Sequence, residues 1–176
     1  LTDLALEANF NMLRVWGGGL YEADPFYELC DERGILVWQE FIYACGKYPH
    51  HDEEFYREAT AEARHQVRRL AAHPSLVAWC GNNEMEAANW TWGYDKGVVY
   101  PDYAFFHLTL KRVMEAEDPT RYYQPSSPFS PDRRHIHHRL LAVLEGDGDH
   151  PVRSDARHRF RNASHAGRIV EARASV

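Results

Sequence analysis

The sequence predicts an α/β fold built on a parallel sheet, and three observations carry that expectation. Four short extended runs, near residues 11–16, 35–38, 76–79 and 122–124, alternate with stretches whose apolar residues recur every three or four positions. Alternating βα units of this kind imply parallel strands joined by helical crossovers. Two of the runs, Asn11 to Trp16 and Leu76 to Trp79, also give way at their C-terminal ends to glycine followed by polar or aromatic groups. That is where parallel α/β proteins present their chemistry.

Each element has a local reason. Asn11-Met-Leu-Arg-Val-Trp16 is an extended run that breaks at Gly17-Gly-Gly19. Asp24 reads as a helix cap with Pro25 at the first helical position; Phe26, Leu29, Cys30 and Arg33 follow at helical spacing, and Gly34 stops the helix. Ile35 to Trp38 reads as a buried strand. From Glu54 to Ala72, Phe55, Ala59, Ala63, Val67 and Leu70 mark one face of a helix that must end near Pro74. Leu76 to Trp79 is the next strand. An aromatic loop follows, then a helix capped by Asp102, with Phe106, Leu110 and Val113 on one face and Asp118-Pro119 at its close. Tyr122-Tyr-Gln resumes an extended pattern.

Composition narrows the functional classes. A 176-residue chain with 44% hydrophobic and 13% aromatic content can bury a core, and a formal charge of −6 argues against nucleic acid as a partner. No apolar stretch approaches the roughly 20 residues of a membrane helix. Cys30, Cys45 and Cys80 are scattered among apolar neighbours and read as small hydrophobes, which slightly favours a reducing, cytoplasmic setting; the opening on Leu1, inside a helical pattern, leaves localisation open. The charge is unevenly distributed. Residues 1–132 hold 21 acids against 11 Lys and Arg, whereas residues 133–176 hold 5 against 9 and contain one aromatic, Phe160. The expectation is a folded domain over 1–132 followed by an irregular tail over 133–176, either disordered or translated in a foreign frame.

Gly17-Gly-Gly19 lacks the spacing of a phosphate cradle and suits a tight turn. His50-His51, His135, His137 and His138 lack metal-ligand spacing, so no metal site is expected. The candidate site residues stand at strand ends. Glu84 follows Asn82-Asn83; Arg14 and Trp16 share a face of their strand, and a buried arginine needs a carboxylate partner; Trp38, Gln39 and Glu40 close the second strand.

Asn11 to Gly19, Trp38-Gln-Glu-Phe41, Arg68-Arg-Leu, His73-Pro-Ser75, Leu76 to Glu84 and Gln124-Pro-Ser-Ser-Pro128 occur in one order. Together they closely resemble the catalytic barrel of retaining β-mannosidases of glycoside hydrolase family 2, over residues 1 to about 132. The resemblance selects a partial (β/α)8 TIM barrel of about four βα units over an open sheet. It implies Glu84 as catalytic acid/base, Asn83 on the sugar 2-hydroxyl and Arg14 in support of the nucleophile. Trp16, Trp38, Gln39 and Glu40 are the further substrate-binding candidates. The implied activity is release of terminal non-reducing β-D-mannose from a β-mannoside oligosaccharide, without a cofactor. Retention needs two carboxyls, yet the family's nucleophile has no counterpart: Glu145 and Glu171 stand in unrelated contexts. This chain alone is therefore expected to be inactive. The alternatives are a sister specificity, β-glucosaminidase or β-galactosidase, and a non-catalytic sugar-binding or structural half-barrel.

Overall fold

The computed structural model describes residues 1–87 and 104–129, together with the backbone of residues 168–172. The order is α1 (Thr2–Glu7), β1 (Phe10–Val15), α2 (Asp24–Arg33), β2 (Leu36–Glu40), α3 (Glu53–Leu70), β3 (Leu76–Cys80), α4 (Leu110–Glu117), β4 (Tyr122–Gln124) and β5 (Arg168–Ala172). A π-helical stretch, Phe105–Thr109, leads into α4. The sheet runs β4-β3-β2-β1-β5 and every pair is parallel. The parallel α/β expectation is met, strand by strand, for the four runs seen in the sequence.

Helix ends follow from their residues. Asp52 caps α3 by accepting the Phe55 amide at 2.8 Å, and Gly34 ends α2 in the left-handed conformation at φ 65°. Asp24 is not the cap of α2: it is the first helical residue, preceded by Ala23, and its carboxylate instead pairs with Arg69. Pro25 still sits in the first turn, where a missing N–H costs nothing.

Strand alternation sorts the side chains. One face carries Leu13, Val15, Val37, Leu76 and Trp79 into a core shared with Tyr27 and Cys30 of α2, Ala59, Ala63, Val67 and Leu70 of α3, and Leu110, Val113 and Met114 of α4. Val67 and Leu70 are fully buried, each worth roughly 1.5–3 kcal/mol relative to exposure. Trp79 stacks on Phe41 at 4.7 Å within this core. The opposite face carries Arg14, Trp38, Ala78, Glu40 and Cys80, with Leu36 38% and Tyr122 57% exposed.

Arg121 locks the opposite, N-terminal edge. Its guanidinium donates to the carbonyls of Leu76, Ala71 and His73 and pairs with Asp118 at 2.6 Å, so one side chain ties the end of α3 to the start of β3. At the other edge Gly81 admits close approach. A Cβ there would stand 2.3 Å from the Pro125 carbonyl oxygen, and its amide donates to Gln124 at 2.8 Å.

The irregular tail departs from expectation in one segment. Residues 168–172 pair with β1 in parallel, filling an edge that would otherwise present unpaired backbone groups. Trp90, Trp92 and the Asp102 cap, and the tail residues 133–167, lie outside the described residues.

Candidate active site

The strand order brings β1, β2, β3 and β4 side by side, so residues far apart in sequence end at one C-terminal edge. Arg14, next to last in β1, lies beside Trp38 in register and reaches along the edge. Its Nε and Nη2 donate to Glu40 Oε1 at 3.0 and 2.6 Å, and Nη2 also donates to Asn83 Oδ1 at 2.6 Å. Arg14, Glu40 and Asn83 therefore form one cluster.

Glu40 is fully buried. Its second oxygen, Oε2, accepts the Gly17 amide at 2.8 Å. Burial holds the carboxyl above its usual range, and the lowering pulls of Arg14 and the Gly17 amide offset only part of that push. Both oxygens accept from fixed donors, and the half-buried Arg14 guanidinium is the cationic partner. Glu40 is without exposed surface and anchors Arg14 and the turn after β1.

Neighbours on a strand face opposite ways, so Gln39 points to the helices, where it accepts from the Tyr27 hydroxyl at 2.5 Å and donates to the Glu40 carbonyl at 2.7 Å. It is fully buried and cannot meet a ligand on the Arg14 face. Trp38 does share that face and is half-buried, while the half-buried Trp16 lays its indole over Gly18 just beyond β1.

Pairing continues past the strands and places Asn83 and Glu84. Asn83 bridges Ala44 on one side and Ser127 on the other. Its amide donates to Tyr43 at 2.9 Å, its carbonyl accepts from Cys45 at 3.1 Å, and the Glu84 amide donates to Ser127 at 2.8 Å. Asn82 serves as the tie: its side chain accepts from Ser126 Oγ at 2.7 Å and Met85 N at 3.1 Å and donates to Pro125 at 2.9 Å. Glu84 is half-buried with φ 59°, and Cys45 has φ 47°. Such conformations in residues other than glycine cost about 1–3 kcal/mol and gather at functional sites.

One participant, Cys45, is not among the site residues singled out from the sequence. Cys45 Sγ accepts from Asn83 Nδ2 at 3.3 Å and donates to Glu84 Oε2 at 3.4 Å. Burial pushes the Cys45 thiol up, as do the hydrogen bond to Glu84 and the charges of Glu84 and Glu40, against the opposing contact from Asn83. Glu86, almost wholly buried, pairs with His107 of the π-helical stretch. The one available signal for Cys45 was its place in the loop leaving β2. Among the described residues no group of three or more His, Cys, Asp or Glu could hold a metal ion.

A parallel α/β sheet whose C-terminal edge gathers two carboxyls, an arginine and an asparagine from separate strands is the arrangement of an α/β enzyme. Sequence comparison makes the class specific. The chain is 48% identical over 134 residues to the β-mannosidase of Capra hircus and 47% identical over 134 residues to that of Bos taurus, matching 73% of this chain and 15% of each relative. The solved β-D-mannosidase from Dictyoglomus thermophilum aligns with a TM-score of 0.67 and 44% identity over 75% of this chain and 16% of that one. No protein-family model matches. The chain is similar to β-mannosidases over about three quarters of its own length, and it spans about 15% of the length of those it matches.

Proposed function

We propose that these residues form the acid/base side of a retaining exo-β-mannosidase site on part of a (β/α)8 barrel, the remaining strands and the nucleophile belonging to the complete enzyme. The contact of Arg14 with Asn83 at 2.6 Å carries the reading. It joins the Asn83-Glu84 pair to the Arg14–Glu40 pair at one sheet edge, in a chain that is similar to β-mannosidases over about three quarters of its length. Glu84 acts first as acid toward the leaving oxygen and then as base toward water, Asn83 holds the sugar 2-hydroxyl, and Trp16 and Trp38 offer faces to the ring. On this reading the sequence of residues 133–176 is of unrelated origin.

The test is hydrolysis of aryl β-mannosides by the complete enzyme, beside the matching β-glucosaminides and β-galactosides. Glu84→Gln should lower kcat/KM by about 10²- to 10⁴-fold for poor leaving groups and much less for activated ones. The isolated 176-residue chain should show negligible turnover. Preference for another glycoside would move the specificity to a sister enzyme. Sugar binding without turnover by the complete protein would make it a binding module.

A further inference from the structure

We infer that Cys45 is a positioning residue for Glu84, its thiol orienting the carboxyl for proton transfer from a seat fixed by Asn83. This rests on Glu84 being the acid/base. The polar groups form a continuous chain: Glu40 accepts from Arg14, Arg14 donates to Asn83, Asn83 donates to Cys45, and Cys45 donates to Glu84. The Cys45 backbone is pinned as well, by its amide bond to the Asn83 carbonyl at 3.1 Å and in a left-handed conformation at φ 47°. Two residues in costly conformations, Cys45 and Glu84, thus face each other through their side chains, and the loop leaving β2 fixes the thiol against the carboxyl.

The choice of a thiol suits the task. The negative charges of Glu84 and Glu40 help keep Cys45 protonated, so it acts as a donor toward Glu84. A thiol is a weak donor. It can set the torsion of a carboxyl that must release and regain a proton, whereas a guanidinium in its place would hold that carboxyl permanently charged. The two site carboxyls are sorted accordingly: Glu40 receives Arg14 and the Gly17 amide, and Glu84 receives Cys45.

The experiment has two arms. In the complete enzyme, Cys45→Ala should lower kcat/KM about tenfold for aryl β-mannosides with poor leaving groups and less than about threefold for activated ones, and Cys45→Ser, which keeps a donor, should restore most of the loss. A loss equal across the series, or no rescue by serine, overturns the inference. Glu84→Gln, run in parallel, must itself show the leaving-group dependence; if it does not, the acid/base reading fails and the positioning role with it. The contact is tested separately in the 176-residue chain by alkylation of Cys45 with iodoacetamide at pH 8, followed by mass spectrometry. Removing the charge in Glu84→Gln should speed modification by about threefold or more, because a thiolate no longer forms beside a carboxylate. An unchanged rate overturns the contact whatever the kinetics show.

Discussion

Three adjacent glycines that look alike in the sequence should respond to alanine in three different ways. At Gly17 a Cβ would stand 2.6 Å from the Tyr43 carbonyl oxygen, 2.7 Å from that of Phe41 and 3.2 Å from Glu40 Oε2. Against the 3.4 Å at which ordinary contact begins, the two carbonyls must retreat by about 0.8 and 0.7 Å. They cannot do so freely, since Tyr43 accepts from Asn83 and the Phe41 amide donates to Cys80. Overpacking of this kind costs about 1–3 kcal/mol, and weakening the Gly17 amide bond to the Glu40 carboxylate adds up to about 1.5–3 kcal/mol. Reduced freedom of the unfolded chain returns about 0.4–1 kcal/mol. The net expectation for Gly17→Ala is a loss of about 2–4 kcal/mol.

At Gly18 the obstacle is the Trp16 indole, 2.1–2.4 Å away, a side chain that can swing aside. Gly18→Ala should cost about 1 kcal/mol, with its larger effect on sugar affinity, because Trp16 leaves its place. At Gly19 the nearest atom is already at 3.4 Å, and none of the three glycines is in the left-handed region, so Gly19→Ala should be neutral or stabilise by about 0.5 kcal/mol. Urea denaturation followed by far-ultraviolet circular dichroism, with equal slopes required of all variants, gives the ranking. Equal losses at Gly17 and Gly19, or a Gly17→Ala variant within 0.5 kcal/mol of the parent (a margin set by ordinary surface substitutions), would refute the reasoning.

Two further outcomes follow from buried charge. Arg14→Met leaves Glu40 fully buried with its guanidinium gone; with the Arg14 side chain itself 17% exposed, the loss should be about 2–4 kcal/mol. Adding Glu40→Gln should recover much of it, and strictly additive losses in the double-mutant cycle would contradict the pairing. For Asp31, burial pushes the carboxyl up, but hydrogen bonds from Ser75 and His73 outweigh it and hold it below the usual carboxylate range. A depressed carboxyl contributes stability above its unfolded value that is lost as pH falls through the folded one. Asp31→Asn should therefore lower the urea midpoint at pH 7 and converge on the parent as acid protonates the Asp31 carboxyl in the folded state; a gap that stays constant down the acid range would exclude the mechanism.

What the sequence disclosed and what it hid divide on physical lines. The first four strands and α3 were legible because their apolar periods are local and follow from burial of one face. Arg14's need for a carboxylate was legible from the cost of burying it, and Glu40 is that carboxylate. Alternation could have excluded Gln39 once Glu40 was assigned to the Arg14 face, since adjacent strand residues cannot share one. Other features depend on distant parts of the chain. Cys45 meets Glu84 across 39 positions, His107 meets Glu86 across 21, and β5 joins β1 from the far end of the sequence, its Ile169-Val170 set in an arginine- and alanine-rich background. No local pattern encodes such meetings. The cap expected at Asp24 gives way for another reason: the boundary falls at Ala23, and Arg69, arriving from α3, pairs with the Asp24 carboxylate.

The site residues come from separate strand ends, with 26 positions between Arg14 and Glu40 and 69 between Arg14 and Asn83. Side chains on free loops so far apart would not hold hydrogen bonds of 2.6 Å. The backbone supplies the precision: bridges from Ala44 through Asn83 to Ser127 extend the sheet one step beyond its regular strands. That extension is also what sustains left-handed conformations at Cys45 and Glu84. The bonds of Cys45 N to Asn83 and Glu84 N to Ser127 offset a strain of about 1–3 kcal/mol at each. Close approach at Gly17 and Gly81 lets the neighbouring loops come near enough to make them. The glycines, the left-handed residues and the chain of polar groups are therefore one structural device, and a change in any of them should reach Glu84 through the backbone before it reaches it through a side chain.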